Sequence, residues 1–193
     1  MNLKALVAAS VGGLLITANE EPRLPGGWSR QATVDADRAC SAGLDISWSE
    51  RGKRLLAVEC TRSIDGHITV MQTIAADDYR GKRVRFAARI KAEKVRGWSG
   101  LMMRINAGDQ RVLGFDDMST RPIRGSVEWR EAAVILDVEP AAATITFGLR
   151  LADGAGKVWI DALRFEEVGP DDPSISINLR PVLPSKPQNL ELE

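Results

Sequence analysis

Four pairs of neighbouring acids punctuate the sequence: Asp77-Asp78, Asp116-Asp117, Glu166-Glu167 and Asp171-Asp172. Two carboxylates facing each other across a sugar are what a glycosidase needs. Adjacent residues on a strand point to opposite faces, so no such pair supplies that arrangement by itself. The one histidine, His67, rules out a multi-histidine zinc site. It follows Asp65-Gly66 and is expected at a hairpin tip or on the surface. Gly97-Trp98-Ser99-Gly100 falls one residue short of the G-x-S-x-G nucleophile elbow. Asp153-Gly154-Ala155-Gly156-Lys157 lacks the spacing of a phosphate-binding loop and reads as a hairpin turn. These residues assemble no catalytic constellation. The expectation is a protein that is not an enzyme, with a hydrolase as the most distant alternative.

Binding chemistry is better represented. Five Trp stand against one Tyr, and Trp is the side chain that stacks on sugar rings, though it also fills cores. Trp159 is expected in the core and Trp129 at a strand edge, while Trp28 and Trp48 fall in an entry region that pattern does not place. Trp98, in a predicted loop VRGWSG, is the candidate stacking ring. Arg104, Asp116 and Arg121 would surround it with hydrogen-bonding groups if the segment 115–124 folds over the same sheet. The run YRGKRVRFAARIKAEK (79–94) carries seven bases and one acid. Lys+Arg and Asp+Glu balance at 26 each over the 193 residues, which argues against capture of nucleic acid by bulk charge.

The elements that must position these groups are strands. In 83–91, Val84, Phe86, Ala88 and Ile90 alternate with Arg83, Arg85, Arg89 and Lys91, so the basic run is first the outer face of a half-buried strand. In 144–151, Ile145, Phe147, Leu149 and Leu151 alternate with Thr144, Thr146, Gly148 and Arg150. In 100–106, Leu101, Met103 and Ile105 oppose Met102 and Arg104. Arg85, Arg89, Arg104 and Arg150 are thereby expected on one sheet face, an anion-friendly surface suited to acidic polysaccharide. Further strands are predicted at 44–48, 55–61, 68–74, 111–115, 129–138 and 157–166. Turn chemistry separates them at Asp65-Gly66, Arg80-Gly81, Gly108-Asp109, Arg124-Gly125, Glu139-Pro140 and Asp153-Gly154. No segment sustains a helical period, and the stretch before 44 reads as an extended loop. Short strands with turns between them predict an all-β sandwich of two antiparallel sheets.

The ends read differently. MNLK, an apolar run of 14 residues and then NEEP have the form of a secretory signal peptide over 1–18. The run is short for a membrane span. A periplasmic or secreted protein with no membrane span after cleavage is expected. Cys40 and Cys60 are then free to pair across a separation of 20 residues, although Cys60 could equally be a buried thiol in the strand LLAVEC. From 169 to 193 the chain is Pro-rich and patternless, an extended tail.

Within 69–168 the pieces Y-R-G-K-R-V-R (79–85), G-W-S-G-L-M-M-R (97–104), F-D-D-M-S-T-R-P-I-R-G (115–125) and V-W-I-D-A-L-R-F-E-E-V (158–168) occur together. Their combination resembles a bacterial galactose-binding-like jelly-roll domain of poorly defined function, similar to carbohydrate-binding modules and found alone or beside regulators and hydrolases. The resemblance implies a jelly-roll sandwich, here over 28–168. It also implies a structural calcium near the last strand, at Asp161, with Asp35 or Asp37 as possible further ligands; Asp and backbone oxygens suit that ion. Two positions depart from the pattern: Asp117 stands where Asn is usual, and Ala132 where an aromatic is usual three residues after Trp129. The expected partner is a glycan or envelope polysaccharide, or alternatively a protein, and not nucleic acid.

Overall fold

The structure is a computed structural model that describes residues 23–45 and 54–169. The predicted signal peptide, Trp48 and the tail from 170 lie outside the described residues. Nine strands follow in chain order: β1 (Trp28–Ala32), β2 (Cys40–Asp45), β3 (Leu55–Cys60), β4 (His67–Ala75), β5 (Arg83–Ala107), β6 (Val112–Asp116), β7 (Ile123–Asp137), β8 (Ala142–Ala152) and β9 (Gly156–Val168). A short helix, α1 (Val34–Ala39), sits between β1 and β2. All pairing is antiparallel.

The long strand β5 organises the rest. Its first half, 83–93, lies between β7 and β9, and β9 continues to β3 and β2. Its second half, 98–107, lies between β6 and β8, and β8 continues to β4 and β1. The two halves therefore belong to two packed layers: sheet I, β2-β3-β9-β5-β7, and sheet II, β1-β4-β8-β5-β6. Register shifts at Ala92, Val95 and Ser99 turn the strand from one layer into the other, as bulges do by bending and twisting a strand.

The inner faces close on each other as the alternation predicts. Val84, Phe86, Ala88 and Ile90 of sheet I and Leu101, Met103, Ile105, Ile145, Leu149 and Leu151 of sheet II are buried. Phe86 meets Phe147 at 4.9 Å between ring centroids, and Phe147 stacks on Phe165 of β9 at 4.7 Å. Such contacts across the layers make this a two-sheet antiparallel β-sandwich, the expected fold class.

Several local expectations are corrected. The two strands predicted at 83–91 and 100–106 are one strand, and Trp98 sits within it rather than in a loop. The entry region is not a loop: it forms β1, α1 and β2. A helix of six residues has no room for a detectable period; it persists because Ala36 and Ala39 are buried and Asp35 and Asp37 occupy its positive first turn. The turn at 153–155 is no hairpin, because β8 and β9 do not pair with each other; each pairs with a different half of β5. The turn at Asp65-Gly66 likewise crosses from β3 of sheet I to β4 of sheet II. Gly125, with φ of 70°, lies inside β7 instead of ending a strand. Cys40 and Cys60 are register partners on β2 and β3 and form a disulfide.

Candidate functional site

Each sheet has an outer face, and the four arginines expected together divide between them. Arg85 and Arg89 lie on sheet I, Arg104 and Arg150 on sheet II. The outer face of sheet I carries several charge pairs. Arg85 donates to Glu166 at 2.8 Å, Lys91 to Glu128 at 2.9 Å, and Arg164 to Glu131. Lys157 bridges Asp45 and Glu59 at 2.9 and 3.1 Å. Burial works against the Lys157 ammonium, but the two carboxylates outweigh it and raise its pKa. Trp159 is buried on this side, in a small cluster with Leu55, Ala57 and the half-buried Trp129, and not in the main core. Its indole donates to Asp45 at 2.9 Å, and Arg89 lies over Trp129 at 5.2 Å.

The outer face of sheet II is built from four strands in register. His67, Thr69, Met71 and Thr73 of β4 lie beside Ala152, Arg150, Gly148 and Thr146 of β8. These in turn lie beside Trp98, Gly100, Met102 and Arg104 of β5. Phe115 of β6 is the cross-strand partner of Arg104. Phe115 is 47% exposed, one of few large apolar residues so placed among the described residues. The guanidinium carbon of Arg150 is 5.8 Å from the Phe115 ring centroid. Arg150 Nε donates to the fully buried Thr69 hydroxyl at 3.0 Å, and its Nη1 donates to Asp117 at 3.2 Å. Burial pushes the Arg150 guanidinium below its usual pKa, Asp117 opposes this, and the neighbouring Arg104 charge adds to it; an arginine stays cationic through such a shift. His67 is half-buried, and burial followed by the Arg150 charge lowers its pKa. Trp98 is half-buried, and its indole donates to Asp153 at 3.3 Å.

The segment after β6 folds over one end of this face. A side-chain carbon added at Gly100 would lie 2.6 Å from Met118 Cβ and 2.9 Å from the Asp117 carbonyl oxygen, so only glycine lets the segment approach. Asp116 and Arg121 anchor it. Their fork-to-fork pair measures 2.9 and 2.7 Å, Arg121 also donates to the Ala133 carbonyl at 3.1 Å, and Asp116 accepts from the Met118 amide at 2.9 Å. Asp116 is Cα partner to the core residue Met103, and its side chain is 7% exposed.

The expected binding set therefore separates. Trp98 and Arg104 share the outer face of sheet II. Asp116 and Arg121 spend their hydrogen bonds on each other and on the backbone, and they fix the segment that delivers Asp117. Sequence reasoning missed Phe115. In V-L-G-F-D, simple alternation would set Leu113 and Phe115 on one face, but the register shift at Ile105 and Asn106 breaks that phase: Leu113 is buried and Phe115 exposed.

The expected calcium ligands do not converge. Asp35 is held by Arg62 and by the Asp65 amide, Asp37 by Arg30, and Asp161 accepts from the Ala162 amide. Among the described residues no three acidic, histidine or cysteine side chains are grouped to hold a metal. No helix among them is long and apolar enough to cross a membrane.

The fold defines a class, the two-sheet antiparallel β-sandwich. Two solved structures share it. The CBM22-1 xylan-binding domain from Paenibacillus barcinonensis Xyn10C superposes with a TM-score of 0.52 at 12% identity, over 77% of this chain and 90% of that domain. The C-terminal family 22 carbohydrate-binding module of Clostridium thermocellum Xyn10B gives 0.52 at 14% identity, over 75% of this chain and 87% of the module. At such identities the likeness speaks for the fold. In sequence, the chain is 38% identical over 153 residues to a Bacillus subtilis protein described as the uncharacterized HTH-type transcriptional regulator YbfP. That match covers 78% of this chain and 52% of the regulator, so the chain spans about half the length of this curated relative. No family model matches the chain.

Proposed function

We propose that this protein is a non-catalytic module that binds carbohydrate on the outer face of sheet II. One observation carries the reading: an exposed aromatic residue, Phe115, lies on a sheet face with the Arg150 guanidinium 5.8 Å from its ring and Arg104 as its cross-strand partner. An aromatic face offers a sugar ring a flat apolar surface, and fixed polar groups around it set orientation. The module fold of the solved neighbours supports this use of the face. Several of the adjacent acids are held in ion pairs. Asp116 is paired with Arg121 and Asp117 with Arg150, while Glu166 is paired with Arg85 on the other sheet. Export to the periplasm or beyond agrees with the apolar N-terminal run and with the Cys40–Cys60 disulfide, a bond that persists in oxidising compartments.

The regulator relative favours a second reading, in which the same face senses a small sugar on behalf of another module. Screening the full chain against immobilised glycans and against free mono- and oligosaccharides separates the two. Polymer binding that is lost in Phe115→Ala, with an unchanged melting curve, supports the anchoring module. Binding of a small sugar alone supports the sensor. Absence of any glycan ligand, or binding indifferent to Phe115→Ala, overturns the carbohydrate assignment of this face.

A further inference from the structure

The donors and acceptors on the sheet II face are unequal in number. Asp117 is the one carboxylate that meets Arg150, through Nη1, while Thr69 takes Nε. Among the described residues Arg150 Nη2 has no hydrogen-bond partner, and it is not a buried unsatisfied atom, so it opens to solvent. Arg104 is exposed and makes no ion pair with any described residue. The acceptors that hold Arg150 are engaged: the Asp117 Oδ1 atom also accepts from the Ser119 amide, and Thr69 accepts from Arg150. One carboxylate thus serves Arg150 alone, and Arg104 has none, beside an exposed ring. On sheet I, by contrast, Arg85, Lys91, Lys157 and Arg164 each meet a carboxylate, and Arg89, which meets none among the described residues, lies over the half-buried Trp129.

A neutral sugar presents hydroxyls, which donate as well as accept, and the Thr73–Thr146 hydroxyl pair could meet those; the free guanidinium edges of Arg104 and Arg150 only donate. A ligand carrying an anionic acceptor at the edge of a flat ring matches them better. We propose that the face takes a hexuronate unit of a polysaccharide, its ring on Phe115 and its carboxylate between Arg104 and the open edge of Arg150. This rests on the carbohydrate reading of the face and names the sugar class. The guanidinium fork matches a carboxylate, and charge-assisted bonds of that kind are the strong ones. Thr69 and Asp117 hold Arg150 in place before the ligand arrives, which reduces the ordering cost of binding.

The test is calorimetric binding of the full chain to oligogalacturonate, alginate oligomers and glucuronoxylan fragments, each compared with its carboxyl-reduced counterpart, with polyglutamate as a charge control. At least one uronide should bind, and reduction of its carboxyls should weaken it about tenfold or more, the worth of one hydrogen bond to a charged group. Arg104→Gln should weaken the uronide by a similar factor, weaken the reduced oligomer less, and leave the melting curve unmoved. Equal affinity for an oligomer and its reduced form would overturn the uronate inference while leaving the carbohydrate reading intact. Binding of polyglutamate with no binding of any sugar would overturn both. Binding of no uronide at all would overturn the inference.

Discussion

The two halves of β5 run through opposite sheets with equivalent interiors and different exteriors. Inside, Phe86 in the first half and Met103 in the second are both fully covered. Outside, the first half pairs Arg85 and Lys91 with carboxylates and lays Arg89 over the half-buried Trp129, and the second half leaves Arg104 without a carboxylate beside an exposed Phe115. Alternation of apolar and polar residues locates a face but does not distinguish a solvated exterior from a binding one. The difference lies in whether the polar groups of the face already have partners.

The largest effects test the equivalence of the interiors. Phe86→Ala on sheet I and Phe147→Ala on sheet II should each lower unfolding free energy by about 3–5 kcal/mol, read from denaturant melts. A loss below about 1 kcal/mol in either would mean that the two inner faces are not alike. Next in size is the disulfide, which staples sheet I alone. Replacing both Cys40 and Cys60 with Ser should cost about 3 kcal/mol in the chain-entropy account of a loop this long, with the sheet II face still competent for its ligand. Loss of ligand together with stability would show that the two exteriors are coupled. The smallest effects separate the exteriors themselves. Arg85→Gln breaks a half-exposed pair and should cost about 1 kcal/mol or less. Arg104→Gln should leave the melting midpoint where it was. Equal destabilisation by both would mean that Arg104 is as fully paired as its counterpart.

The fold was largely legible because its strands alternate cleanly, as in Val84 to Ile90 and Ile145 to Leu151. Turn residues such as Asp65-Gly66 and Asp153-Gly154 marked chain reversals but not which sheet the next strand joins, since layer assignment depends on long-range pairing. The bulges at Ala92 to Ser99 left Trp98 looking like a loop residue. The site was legible in part. Arg104 and Arg150 showed in the strand phase, though Arg85 and Arg89 went to the other sheet. Asp116 and Arg121, five residues apart, read as ligand groups because spacing cannot show that they satisfy each other. Phe115 was hidden by a single register shift, the kind of local irregularity that hydrophobic period cannot carry.

The order of strands also sets a schedule for the chain as it is made. β1 can pair with β4, and β2 with β3, as soon as the first 75 residues exist. Neither pair has its next neighbour until β8 and β9 arrive at residues 142–168. Synthesis proceeds from the N-terminus, so the emerging polypeptide holds two open ribbons with apolar inner faces until nearly the whole domain is out. Such a chain assembles late and all at once, and it depends on being kept apart from other copies until then.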